Sequence, residues 1–146
     1  AALEDPDLIK RIAIRYGSAN LVVAVDSRLK NSEYRVYSTS GKKEAPYELV
    51  QWCLKAQQLG AGELLITSID RDGTRNGFDL DMLDRLADKI SIPIIVSGGA
   101  GSMDDFKKAF ERGADAALGA GVFHSNTFTP NTLKSFLREE KINVRL

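Results

Sequence analysis

Three glycine-bearing turns, Asp72-Gly73-Thr74, Ser97-Gly98-Gly99 and Gly119-Ala120-Gly121, each follow a short apolar run. Glycine in such a turn lets backbone N–H groups approach an anion with no side chain between them. Together the three have the composition of a phosphate cradle, and the ligand they imply carries phosphate. Asp-Gly is also a common dipeptide in ordinary turns, so the first of the three has a plain conformational reading as well. Asp26 offers a different chemistry, because it ends the apolar run 21–25. A carboxylate at the end of a buried strand is partly desolvated, which moves its pKa toward the range useful for giving and taking a proton. The alternative is a carboxylate satisfied by loop amides. Thr67 lies inside the run 64–69 and has a hydroxyl to offer a ligand, while Asp70 reads either as a site group or as a loop carboxylate orienting backbone.

The elements that must position these groups alternate along the chain. The spacing predicts a first helix with Asp5-Pro6 as cap and first turn, an apolar stripe of Leu8, Ile9, Ile12, Ala13 and Tyr16, and Gly17 as its stop. A strand over 21–25 ends in Asp26. The alternation of Tyr34, Val36 and Ser38 with Arg35, Tyr37 and Thr39 then predicts a small surface hairpin. Pro46 is expected to start a second helix that turns Leu49, Val50, Cys53, Leu54 and Ala56 inward and closes at Leu59-Gly60. After the strand 64–69, Asp79 caps a helix carrying Leu80, Leu83, Leu86, Ala87 and Ile90, and Pro93 opens the next strand. Ser102 and Asp105 form a capping-box pair before Phe106, Ala109 and Phe110, with Gly113 as stop. A short strand at Ala116 precedes a last helix from Thr129-Pro130 through Leu133, Phe136 and Leu137.

That order is four strands, each followed by a helix, with one helix in front. Repeated strand–helix units give a parallel sheet with right-handed crossovers. Either an open sheet covered on both faces or part of an eight-stranded barrel satisfies it. No G-x-G-x-x-G follows the run 21–25, and the glycines cluster after the last two strands, which favours a phosphate-binding TIM barrel. A complete barrel takes about 250 residues, so the expected fold is α/β, half of a (βα)8 barrel: four parallel βα units preceded by one helix, in a single domain spanning 1–146. Such a curved parallel sheet leaves two edges and an apolar inner face uncovered, so self-association or pairing with an N-terminal half-barrel is expected.

Composition narrows the partners. Twenty basic and twenty acidic residues cancel, giving no field that would draw nucleic acid or an anionic membrane. No apolar stretch approaches the roughly 18 residues of a membrane span, and no basic-then-apolar leader is present, so a cytoplasmic location is expected. The single cysteine, Cys53, sits at helical spacing with Leu49 and Val50 and reads as core packing. With one histidine, His124, a multi-histidine metal site is impossible, and no metal or cofactor is expected. His124 either contacts the site or packs at a helix start. Trp52 reads as core or interface. Lys42 and Lys43 either draw in a phosphorylated ligand or belong to a solvated loop.

Read together, the stretches VVAVD at 22–26, GELLITSIDRDGT at 62–74, PIIVSGGAG at 93–101, GADAAL at 113–118, VFH at 122–124 and the terminal NVRL at 143–146 resemble the family of cyclase subunits of imidazole glycerol phosphate synthase. The resemblance is nearly collinear and runs from Ala1 to Leu146, covering the family's C-terminal half. It implies a lyase and cyclase of histidine biosynthesis in which ammonia attacks a bis-phosphorylated ribulosyl intermediate, giving imidazole glycerol phosphate and an aminoimidazole carboxamide ribotide. On the same basis Asp26 is one of two aspartates acting as general acid and base, the other belonging to a first strand outside this chain, so that this chain alone is expected to be nearly inactive. Thr67, Asp72, Gly73, Thr74, Ser97, Gly98, Gly99, Gly119, Ala120 and Gly121 are the implied substrate- and phosphate-binding residues, although many relatives have serine where Gly121 stands. Glu63 matches a charged residue lining the entry for ammonia from a glutaminase subunit; as a strand-start glutamate it also has the plain reading of a solvent-exposed group. A sibling isomerase shares the Asp-Gly-Thr and Ser-Gly-Gly turns and is the alternative enzyme. A non-catalytic half-barrel that only binds phosphate is the alternative of another class.

Overall fold

The computed structural model describes residues 1–145; Leu146, the last residue of the terminal motif, lies outside them. The chain opens with helix α1 (Asp7–Tyr16) and one turn of 3-10 helix at Ser18–Asn20. Strand β1 (Val22–Lys30) runs directly into a meander of β2 (Glu33–Ser38) and β3 (Lys43–Glu48). Helix α2 (Leu49–Gln58), β4 (Glu63–Ser68), α3 (Leu80–Ala87), β5 (Ile94–Ser97), α4 (Met103–Glu111), β6 (Ala116–Leu118), the single turn α5 (Gly121–His124) and α6 (Pro130–Glu139) complete the order.

All six strands form one sheet in the order β3-β2-β1-β4-β5-β6. β1, β4, β5 and β6 are mutually parallel, and β2 and β3 extend the sheet antiparallel beyond β1. One face carries Val23, Val25, Leu64, Ile66, Ile94 and Val96, buried in a single apolar cluster with Trp52, Met82, Phe106 and Leu133 from the helices. The opposite face is far more open: Val22 is 47% exposed and Leu118 43%. Four parallel strands with helices on one face and an open second face, in a sheet with two free edges, make one side of a barrel. The expected half-barrel architecture is therefore present.

Caps that depend only on neighbouring residues are where their sequence signals put them. Asp79 caps α3 through the Met82 N–H, Ser102 and Asp105 form the reciprocal capping box of α4, and Thr129 caps α6 with Pro130 in its first turn. Cys53 is fully buried and its thiol is pushed up to about 12 by desolvation and the nearby Glu48, as suits a packing residue. Trp52 is buried against Tyr47, ring centroids 4.8 Å apart, and is a core residue.

Four expectations are corrected. Asp26 does not end its strand; β1 continues to Lys30 because the left-handed Asn31-Ser32 pair turns the chain tightly back into β2. The hairpin is not a surface appendage, since Tyr34 and Val36 are buried and β2 pairs along β1. Pro46 lies in β3 rather than at a helix start; β3 is an edge strand, where a missing N–H is tolerated, and Glu48 takes the cap of α2 by accepting from the Gln51 N–H. At α1 the side chain of Asp5 does not cap the helix but pairs with Arg11 at 2.6 Å, and Tyr16 is 57% exposed, leaving Ile9 as the one buried residue of the stripe.

Candidate functional site

Parallel pairing places Asp26, Thr67, Ser97 and Leu118 in one lateral row across β1, β4, β5 and β6, because Asp26 pairs with Thr67, Thr67 with Ser97 and Ser97 with Leu118. Register partners point to the same side of a sheet. Along β4, burial alternates so that Leu64, Ile66 and Ser68 face the helices while Glu63, Leu65 and Thr67 face the open side. The row thus lies on the bare face, at the end from which the glycine turns emerge.

Asp26 borders a cavity of about 200 Å3 together with Ala24, Tyr37 and residues 1–3, and two further cavities open among the loops. Asp26, Ser40, Thr67, Ile69 and Asp72 line one of about 280 Å3. The Asp26 carboxyl is held above the ordinary carboxylate value, first by desolvation and then by the negative charge of Asp72. A group poised this way retains its proton further toward neutral pH and suits general acid–base work. The hairpin tip helps to wall this cavity: Ser40 lines it, and Gly41 sits so close to Ile69 that a Cβ there would meet the Ile69 side chain at 3.2 Å.

The second cavity, about 230 Å3, takes its walls from all three glycine turns: Gly73, Ser97, Gly98, Gly99, and 119–121. Close backbone approach builds it. Gly98 has φ +91 and a Cβ there would lie 2.7 Å from the Ser68 carbonyl, while a Cβ on Gly99, at φ +104, would overlap the Gly77 carbonyl. The Gly77 N–H donates to Gly99 O at 2.8 Å, so the loop after β4 is clamped on the loop after β5. Only residues without side chains permit that clamp. Thr74 contributes differently: its Oγ1 donates to Arg71 O at 2.7 Å and accepts from the Asn76 N–H, shaping the turn.

Other candidate residues fall elsewhere. Glu63, half-buried, starts β4 on the same face as Thr67 but four residues earlier, about 13 Å down the strand. Asp70 accepts from the Leu29 N–H at 2.9 Å and faces Arg28 Nε at 3.1 Å, a loop carboxylate that orients backbone. Lys42, Lys43 and His124 are exposed and line neither cavity. Among the described residues no cluster of three or more His, Cys, Asp or Glu is placed to hold a metal ion, and no helix is long and apolar enough to cross a membrane.

Sequence reasoning passed over Arg75 and the buried triad behind the site. Arg75 lines the glycine cavity; a basic residue two positions after Asp-Gly, in a loop leaving a buried strand, was the signal available. On the helix side of the sheet, Tyr34 Oη and Ser68 Oγ donate to the two oxygens of Asp79 at 2.7 and 2.8 Å. That joins β2, the end of β4 and the start of α3 through one carboxylate.

The family described as "Histidine biosynthesis protein" matches residues 1–129. The chain is 48% identical to the imidazole glycerol phosphate synthase subunit HisF of Chlorobaculum parvum and 47% identical to that of Chlorobaculum tepidum, in each case over the whole of this chain and 59% of the relative. It is 46% identical to the subunit of the same name from Pyrococcus furiosus, over 58% of that protein. The chain thus spans rather more than half the length of these curated relatives. A barrel-side sheet, glycine turns gathered at one end of it and a family match over most of its length lead to one assignment: the chain belongs to the histidine biosynthesis protein family.

Proposed function

We propose that this chain is the C-terminal half of an imidazole glycerol phosphate synthase cyclase barrel and contributes one phosphate site and one proton-handling carboxylate to that reaction. The observation that carries the reading is the contiguity of the two cavities: Asp72 and Gly73 are successive residues of one turn, Asp72 beside Asp26 and Gly73 in the glycine cavity. A substrate phosphate seated on the amides of Gly73, 97–99 and 119–121 would hold the reacting part of the same molecule over Asp26 and Thr67. Positioning of this kind turns a carboxylate of raised pKa into a useful acid and base.

In this reading ammonia attacks a bis-phosphorylated ribulosyl intermediate, and ring closure with C–N cleavage releases imidazole glycerol phosphate and an aminoimidazole carboxamide ribotide. Asp26 moves protons in those steps, with a second carboxylate supplied by the N-terminal half. Thr67 offers its hydroxyl to the substrate. Glu63, at the far end of the same face, would line the path of ammonia from a glutaminase subunit. The bare face and free edges support an N-terminal half-barrel, or a second copy of this chain, as the covering partner.

Mixing this chain with a matching N-terminal half and measuring ammonia-dependent formation of imidazole glycerol phosphate tests the reading. Activity is expected in the mixture, near absence in either half alone, and a loss of about 10²–10⁴ with Asp26→Asn. Activity that survives the substitution would remove Asp26 from its role. Tighter binding of the sibling isomerase's aminoaldose substrate than of imidazole glycerol phosphate would favour the isomerase instead.

A further inference from the structure

The glycine cavity has a charge problem that its glycines do not solve. Its walls are glycine, alanine, one serine and one leucine, with a single charged side chain among the lining residues, that of Arg75. Neutral amides orient a phosphate, but a dianion moved into a recess loses hydration that charged donors replace best.

We infer that Arg75 supplies the positive charge of this cavity and selects a phosphate monoester dianion there, an inference that rests on the phosphate reading given above. Arg75 Nη2 donates to Gly121 O at 3.3 Å and to Ser125 Oγ at 3.1 Å, drawing the guanidinium from the loop after β4 across to the turn after β6. Both bonds use one nitrogen. Among the described residues Arg75 Nε and Nη1 donate to no partner, which leaves donors of the planar fork for phosphate oxygens. The guanidinium lies directly against Gly121: a Cβ there would be in ordinary contact with it, 3.6 Å from Nη2 and 3.7 Å from Nε.

The backbone is committed to the same end. Arg75 has φ +57, a left-handed conformation that a non-glycine residue adopts at a cost. Its carbonyl is backed by Gly101, where a Cβ would overlap the Arg75 peptide, so the conformation is held by the loop after β5. Arg75 is thereby tied to all three loops: it lies two residues after Gly73 in the loop after β4, its carbonyl packs against Gly101 in the loop after β5, and its guanidinium bonds to Gly121 after β6.

The competing role for Arg75 is a tether that only staples two loops, and the test separates the two. The chain is titrated with inorganic phosphate at pH 8, where the dianion dominates, at several salt concentrations, alongside Arg75→Met, Arg75→Lys and Ser125→Ala. The expected result is binding by the unaltered chain, affinity weaker by about tenfold or more with a shallower salt dependence in Arg75→Met, and a smaller loss in Arg75→Lys. Ser125→Ala, which removes a tether contact and keeps the charge, should stay within about twofold of the unaltered chain. Equal binding by Arg75→Met and the unaltered chain overturns the inference and leaves the phosphate cavity standing. A loss in Ser125→Ala as large as that in Arg75→Met also overturns it, reducing Arg75 to a tether. No phosphate binding by the unaltered chain overturns the cavity reading and this inference together.

Discussion

Asp26 and Asp72 face one cavity from different elements, one on β1 and the other in the turn after β4, and the charge of Asp72 adds to desolvation in raising the Asp26 pKa. Desolvation is the larger cause. Replacing Asp72 by Asn should therefore lower the Asp26 pKa while leaving it above the ordinary carboxylate value, as read by carboxyl-carbon NMR titration. A pKa unmoved by Asp72→Asn would show that the two carboxylates do not sense each other.

The same shift makes stability depend on pH with a definite sign. A carboxyl whose folded pKa lies above its unfolded value binds more protons in the folded state, so stability falls as pH rises from about 3.8 through the raised folded pKa. Above that window the ionised group opposes folding. Asp26→Asn, which imitates the neutral carboxyl, should melt higher than the unaltered chain at pH 7, and the gap should close as pH falls to 3. Thermal unfolding across that range checks it; a variant less stable at pH 7 would mean that the Asp26 charge is favourably compensated in the fold.

Gly73 and Gly99 share a positive φ but differ in surroundings. A Cβ on Gly73, at φ +76, meets nothing within 4 Å, whereas one on Gly99 would overlap the Gly77 carbonyl. Gly73→Ala should cost only the conformational term, about 1–2 kcal/mol. Gly99→Ala should exceed it and weaken phosphate binding as well, because the clamp between the loops after β4 and β5 must open. Urea unfolding of the two variants gives the comparison, and equal losses would mean that the Gly77–Gly99 contact yields without cost.

Tyr34, Asp79 and Ser68 form the buried support behind the site. Tyr34→Phe removes one donor and leaves an Asp79 oxygen with only the Met82 N–H at 3.1 Å, so a loss of about 1–3 kcal/mol is expected. Asp79→Ala should cost more, since it strands both hydroxyls and removes the cap of α3, the cap alone being worth about 0.5–2 kcal/mol. Chemical denaturation of both variants measures the order. Asp79→Ala less damaging than Tyr34→Phe would contradict the shared-acceptor arrangement.

What could be read from the chain was local. The caps at Asp79, Ser102 and Thr129 depend on residues within three positions, and the glycine turns follow apolar runs directly, so both were legible. Pro46 was misplaced because a proline suits a helix start and an edge strand alike, and only pairing with β2 decides. Asp26 looked like a strand end because the apolar run stops at Val25, while β1 continues to Lys30 along its antiparallel neighbour β2. Tyr34 and Asp79 are 45 residues apart, and Arg75 and Gly121 are 46 apart; no local pattern brings either pair together. The glycine turns and Asp26 were visible in the chain, whereas the part played by Arg75 and the Tyr34–Asp79–Ser68 support came only with the fold.

The account stands or falls on whether the three glycine turns hold one anion beside Asp26. Amide NMR of the full chain during titration with inorganic phosphate tests it most directly. The account predicts saturable shifts at Gly73, Ser97, Gly98, Gly99, Gly119, Ala120 and Gly121 that fit one dissociation constant, with the amides of α1 unmoved. Shifts confined to a single turn, or centred on the exposed Lys42 and Lys43, would contradict it.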